Sequence, residues 1–260
     1  MEKFKTEYND KGITKFVFNF DKISNDSDAY FIGYMACDGG YILNDGYPFM
    51  LVSSTEKYII DYFSRYTSHG VVRNVGRKSS NKVNAINDVY ELRFPAKMGN
   101  TFKNFGIWCK KPERRIVGIP REYFLAYFWG ILDSDGFINV THRADCRVPR
   151  LRFFITHGSE KLLADLQDKL FTLFNLNTTL RQHGPNVWRL QAQNTAQNII
   201  FFTKMLAAEP STFNRKKWSK LVEYLDNYAP QASDELLEPQ GISSQAVSTL
   251  TEGSETTGEV

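Results

Sequence analysis

Two aspartates, Asp38 and Asp135, stand at equivalent points of a stretch that occurs twice at an offset of 97 residues. Each ends an apolar run, is followed by a glycine (Gly39 or Gly136), and then gives way to strand-like alternation. The same offset aligns Phe31 with Phe128 and Gly33 with Gly130. Both runs predict buried helices. Gly33 with Cys37, and Gly130 with Ser134, put two small residues four apart on one helical face, so the helices can pack with their backbones unusually close. Gly39 and Gly136 suit the left-handed position past a helix, which leaves both carboxylates in a last turn. There each faces the negative end of a helix dipole, at a cost of about 0.3–1 kcal/mol. Two such ends brought together concentrate negative charge that a cation would relieve. One Asp-Gly alone reads as a helix-stop turn; its repetition with matching flanks is what points to a paired cation site.

The elements that must position these acids also recur. After the first run, strands at 40–43 and 48–53 flank Asn44-Asp45-Gly46, a hairpin signal. A helix over 55–67, strands at 70–77 and 89–94 and a helix near 98–108 follow. Asp26 or Ser27 is the expected cap of the first run. Pro120 can start the second run, after which strands at 137–141 and 151–156, an amphipathic helix at 159–174, strands at 178–182 and 187–193, and helices at 195–207 and 213–227 are expected. The fold class is therefore α+β, as two pseudo-symmetric αββαββα halves at 27–108 and 121–228. A charged, proline-containing linker at 109–120 joins them. Residues 1–26 form an N-terminal arm whose apolar patch at 16–20 is either a strand or an extended segment on the first half. Residues 229–260 read as a disordered acidic tail.

Charge sharpens this division. The last 30 of the 260 residues hold six acids and no Lys or Arg, so a net charge of +3 becomes +9 over residues 1–230. A basic body points to a polyanionic partner. Candidate base or phosphate contacts are Arg73, Arg77, Lys78 and Arg93 in the first half. In the second they are Arg143, Arg147, Arg150, Arg152, Arg181, Gln182, Arg189, Gln191 and Gln193. Each alone is equally a solvated strand position; as a set they favour DNA. Three cysteines without Cys-x-x-Cys spacing argue against a disulfide framework and a zinc site, and fit a reducing intracellular compartment. His69, His142, His157 and His183 lack metal-ligand spacing. No apolar run reaches the roughly 18 residues of a membrane span, and no apolar signal segment follows Met1. A soluble protein with no membrane association is expected.

The repeated stretches resemble the LAGLIDADG motif of homing endonucleases, with Phe31 to Gly39 and Phe128 to Gly136 on its nine positions. The second copy is the closer match, since Ala36 stands where the motif usually has its first acid. The resemblance covers about residues 27 to 226. It implies an antiparallel β-saddle lying in the DNA major groove around a central two-helix interface. Asp38 and Asp135 fall on the acid that binds metal in the family, implying two or three Mg2+ ions shared between them, with backbone carbonyls at Cys37 and Ser134 completing the shell. Asp133 would be structural or supporting. The resemblance also implies a polar residue ending the second strand of each half, here Ser54 and His157, and a late lysine in each, here Lys111 and Lys216. Lys110 and Lys217 are neighbouring substitutes for those lysines. Unequal halves in one chain imply a monomer, with no obligatory protein partner, that hydrolyses both strands of a long asymmetric double-stranded DNA site in intron homing. The alternative is a scaffold that binds nucleic acid without cutting, such as an intron RNA maturase or a regulator. Retention of both aspartates favours cleavage.

Overall fold

The computed structural model describes residues 4–8, 14–18, 22–44, 46–67, 73–75, 77–78, 86–94, 98–142, 144, 148–207 and 215–237. A hairpin of β1 (Phe4–Tyr8) and β2 (Thr14–Phe18) comes first, and helix α1 (Asp26–Asp38) follows. The rest of the first half comprises β3 (Gly40–Asn44), β4 (Tyr47–Ser54), α2 (Lys57–Thr67), β5 (Arg73–Asn74), β6 (Arg77–Lys78), β7 (Ile86–Asn87), β8 (Tyr90–Phe94) and α3 (Gly99–Asn104). The second half holds α4 (Phe124–Asp135), β9 (Gly136–Thr141), β10 (Arg150–His157), α5 (Glu160–Phe174), β11 (Thr179–Gly184), β12 (Val187–Ala192), α6 (Thr195–Ala207) and α7 (Arg215–Leu237). It is an α+β fold. Each half builds a four-stranded antiparallel sheet in which the third and fourth strands change places, β3-β4-β8-β5 and β9-β10-β12-β11.

Helices α1 and α4 lie together at the centre and are apolar around most of their circumference, as helices covered on every side must be. Phe31 and Phe128 anchor the two halves of the core, Phe31 among Phe63, Phe94 and Phe102, and Phe128 among Phe124, Phe153 and Phe201. Outer helix α5 buries one stripe, Leu162, Leu163, Leu166 and Leu170, and is capped by the Ser159 hydroxyl, which accepts from the Leu162 N–H.

Several boundaries differ from the sequence reading, each for a local reason. The cap of α1 is Asn25, whose side chain accepts from Asp28 N–H, one residue before the expected Asp26. Gly39 and Gly136 are not left-handed, with φ of −62° and −82°. Glycine serves there for space: a Cβ on Gly39 would lie 2.3 Å from the Met35 carbonyl oxygen, and one on Gly136 2.6 Å from Leu132 Cα. The turn after Pro120 is a short 3-10 segment, Arg121–Tyr123, so α4 begins at Phe124. Helix α3 stops at Asn104 because Gly106, at φ +69°, turns the chain beneath the Arg115 carbonyl. The third strand of the first half is broken into β5 and β6, and β6 pairs with β7 instead of with the main sheet. Helix α7 runs to Leu237, past the boundary expected at 229, and residues 238–260 lie outside the described residues. Among the described residues no helix is long and apolar enough to cross a membrane.

Candidate functional site

Close approach of α1 and α4 comes from a reciprocal pair of glycines. A Cβ on Gly33 would lie 2.0 Å from the Tyr127 carbonyl oxygen, and one on Gly130 2.2 Å from the Tyr30 carbonyl oxygen. Any side chain at either position would push the helices apart. The Tyr30 hydroxyl donates to Asp133 Oδ2 at 2.7 Å across this interface, and the Trp218 indole N–H donates to the other oxygen of the same carboxylate. Asp133 is therefore a buried fastener, and its partner position in α1 is Ala36.

The packing carries Asp38 and Asp135, the last residues of their helices, to one place. Burial first, and then the charge of Asp135, push the Asp38 carboxyl up to about 6. Lys111, the Tyr34 hydroxyl and Lys217 pull it the other way. Burial also raises Asp135, against Lys111, Lys217, the Cys37 thiol and Arg114. Both acids thus feel the same two lysines, and Asp38 feels Asp135 itself, as expected of carboxylates sharing a site.

Beneath them each helix ends on a cation. The fully buried Arg114 donates through Nη1 to the carbonyls of Ala36 at 2.8 Å and Met35 at 3.4 Å, and through Nη2 to that of Gly39. Lys217 Nζ donates to the carbonyls of Leu132 at 2.7 Å, Asp133 at 2.9 Å and Ser134 at 3.4 Å. Met35 and Leu132 are equivalent under the 97-residue offset, as are Ala36 and Asp133, so different residue types satisfy the same orphan carbonyls in the two halves. Burial lowers the pKa of both cations. Sequence reasoning missed Arg114, which lies in the segment read as a linker. That segment is a strap: the Ser159 hydroxyl donates to the Arg114 carbonyl at 2.8 Å, and Arg115 binds the Asp165 carboxylate at 2.7 and 3.1 Å. The paired arginines inside an otherwise loop-like run were the one available signal.

The remaining sequence candidates divide. His157 ends β10 and is buried, and its ring nitrogen, an Asp135 oxygen and the Cys37 sulfur all lie within 4.8 Å of one another. Its Nδ1 accepts from Ser159 N–H at 2.9 Å, so the neutral ring carries its proton on Nε2. Burial, then Lys111 and Arg114, hold its pKa down to about 3. His157 is thus a neutral hydrogen-bond donor at ordinary pH and has no basic nitrogen free. Ser54 lies beside the Tyr34 hydroxyl, next to Asp38, and its own hydroxyl accepts from Glu56 N–H at 3.1 Å. Lys111 is exposed in a 3-10 turn, Lys111–Glu113, and acts on both aspartates and His157. The Lys216 side chain is outside the described ones; neighbouring Lys217 reaches the acids. The Cys37 thiol is buried, and the Ser134 hydroxyl is turned onto its own helix, donating to Ile131 and Gly130 carbonyls at 2.9 and 3.1 Å.

Strand register sorts the candidate contacts by face. In β10 burial alternates, with Leu151, Phe153, Ile155 and His157 against the helices and Arg150, Arg152, Phe154 and Thr156 on the open face. Arg189 and Gln191 of β12 lie opposite Thr156 and Phe154, and Arg181 lies opposite Arg189, so all three share that face. Gln182 lies opposite Trp188 and falls on the other face. Arg152 donates to the Thr141 hydroxyl at 3.2 Å, and the Arg189 guanidinium sits 4.8 Å from the Phe154 ring centroid. Gln193 is exposed just past β12. In the first half Arg93 is on the open face, 5.5 Å from the Phe49 ring centroid and 3.9 Å from Glu91. The Arg73 backbone pairs with Glu91. The backbones of Arg77 and Lys78 lie in β6, their side chains and that of Arg73 are not among the described ones, and Arg143 and Arg147 lie outside the described residues.

No protein-family model and no curated protein sequence matches the chain. Its fold does match solved structures. The homing endonuclease I-WcaI bound to its DNA recognition sequence is 14% identical, with a TM-score of 0.52 over 77% of this chain and 87% of that one. The LAGLIDADG meganuclease I-AabMI bound to uncleaved DNA is 10% identical, with a TM-score of 0.52 over 80% and 92%. The meganuclease I-SmaMI bound to uncleavable DNA is 11% identical, with a TM-score of 0.50 over 82% and 97%. The chain has the fold of the LAGLIDADG homing endonucleases.

Proposed function

From that shared fold, we propose that the protein is a site-specific DNA endonuclease that binds a long asymmetric duplex on its two sheets and hydrolyses both strands with divalent-metal assistance. The observation that carries this reading is the convergence of Asp38 and Asp135 at the ends of two packed helices, each raised by burial and Asp38 also by its partner's charge. Two half-buried carboxylates held together fit a hard cation that takes oxygen ligands, and Mg2+ is the ion proposed. When bound, such ions supply Lewis-acid neutralisation of the leaving oxygen and an activated water. The protein's own residues do the rest. Asp38 and Asp135 would hold the ions, and Cys37 and Ser134 would offer backbone carbonyls beside them. The Ser134 carbonyl is shared with Lys217 at 3.4 Å. Lys111 and Lys217 offset negative charge at the scissile phosphates, and the His157 Nε2–H can donate to an oxygen there without itself taking up a proton. The open arginines and glutamines of the sheets position the duplex.

The test is Asp38→Asn and Asp135→Asn, assayed with Mg2+ on duplexes selected from a randomised library. Either change should lower double-strand cleavage by at least about a thousandfold while DNA affinity survives. Cleavage by the double variant would refute the assignment. Wild-type binding that is steep in salt but never followed by cutting would favour the non-cleaving alternative.

A further inference from the structure

The open faces of the two sheets, compared position by position, carry the reading further and rest on it. The residues after Gly39 and Gly136 fix the equivalence: Gly40 pairs with Leu51 and Phe137 with Phe154. By the same register, Ile42 corresponds to Asn139, Phe49 to Arg152, and Leu51 to Phe154. On the fourth strands Glu91, opposite Ser53, corresponds to Arg189, opposite Thr156. One face therefore presents three aliphatic or aromatic groups, with Glu91 buried among its strands, where the other presents an amide, two guanidinium groups and Phe154, which lies beneath Arg189. Ile42, Phe49 and Leu51 are all half-buried, so their apolar surface is still partly available. Arg93 lies over Phe49 and near Glu91, engaged within its own face.

We infer that the two half-sites are read by different chemistries: the half under the first sheet through apolar contact with thymine methyl groups, and the half under the second through hydrogen bonds to guanine and adenine edges. The thymine C5-methyl is the apolar group that base pairs present in the major groove, whereas arginine and glutamine match the acceptors and donors of guanine and adenine.

The experiment leaves the protein unaltered, so folding does not confound it. A cleavable duplex is selected with Mg2+ from a randomised library, the half-site under each sheet is assigned by crosslinking, and thymines are replaced by uracil, which lacks only the methyl. In the half under the first sheet each contacted thymine should lose about fourfold in affinity, the value of one buried methyl. Uracil in the other half should change affinity less than about twofold, while 7-deazaguanine there should cost about tenfold per contacted guanine. Leu51→Asn, checked for an unchanged melting curve, should remove the uracil effect at its own position. A duplex bound and cut with uracil tolerated throughout the first half overturns this inference and leaves the nuclease reading standing. A library from which nothing is bound or cut overturns both.

Discussion

At the helix pair the two halves are near copies, while on the sheets they are unlike. Gly33 meets the Tyr127 backbone as Gly130 meets that of Tyr30, and both helix ends are closed by a cation reaching matched carbonyls. On the sheets Phe49 stands where the other half has Arg152, and a buried Glu91 where it has the partly exposed Arg189. At the glycine contact the helices tolerate little divergence because each is the other's packing surface, whereas Asp133 and its equivalent Ala36 differ. Among the described residues each open sheet face packs against no counterpart in the other half and so is constrained on its own side alone. Symmetry therefore survives where it is structural and, under the proposed function, is lost where it would limit an asymmetric target.

The strongest test of the symmetric part is Gly33→Val against Gly130→Val. Both place a branched side chain into backbone, and each should cost about 4 kcal/mol or more in chemical denaturation. A large loss at one glycine with little at the other would break the symmetry. Next come the cations. Arg114→Met should cost about 3 kcal/mol, because buried carbonyls lose their only described side-chain donor, and Lys217→Met about 2 kcal/mol, because Lys217 is less buried. Lys217→Met should also depress cleavage more than Arg114→Met does relative to its stability loss, which single-turnover rates on folded protein would show. Equal rates would assign Lys217 a capping role only.

The carboxylates give a pH prediction. Asp38 in the folded chain has a pKa of about 6, above its ordinary 3.8, so the folded state holds that proton more tightly than the unfolded one. Its stabilising contribution is present below about pH 3.8 and is lost as pH rises through 6. Without metal, Asp38→Asn should be more stable than wild type at pH 7 by on the order of 2 kcal/mol, an advantage that disappears by pH 4. Taking the difference between the two proteins cancels the opposite acid effect of His157. Mg2+ at a hundredfold excess over its dissociation constant should stabilise wild type by about 2.7 kcal/mol and the variant far less. Equal stabilisation by Mg2+ would remove Asp38 from the ion site. The smallest effect separates the sheets: Arg189→Ala should weaken DNA binding by about tenfold, and Arg93→Ala by less than about threefold. The reverse order would contradict the assignment of faces.

Much of the architecture was legible because it rests on short-range rules. Periodicity located the α2, α5 and α6 helices to within about two residues, and the Asn44-Asp45-Gly46 signal located the hairpin of β3 and β4. The repeated small residues identified the central contact, although the glycines after the aspartates proved to be there for space and not for a left-handed turn. Arg114 was not legible, since nothing local distinguishes a buried guanidinium from the exposed Arg115 beside it. His157 was legible as a candidate, but its state was not: the Ser159 N–H that occupies Nδ1 is visible only once helix α5 has closed over the strand end.

Residue types and their spacing alone determined that there are two halves, that each presents an acid at a helix end, and that small residues let those helices touch. These follow from covalent order and local geometry, which chain neighbours settle among themselves. Which cation reaches which carbonyl, which face a strand arginine takes, and how strongly one carboxylate feels the other were decided by tertiary structure. They depend on distances between residues far apart in the chain and on the water that packing removes from between them.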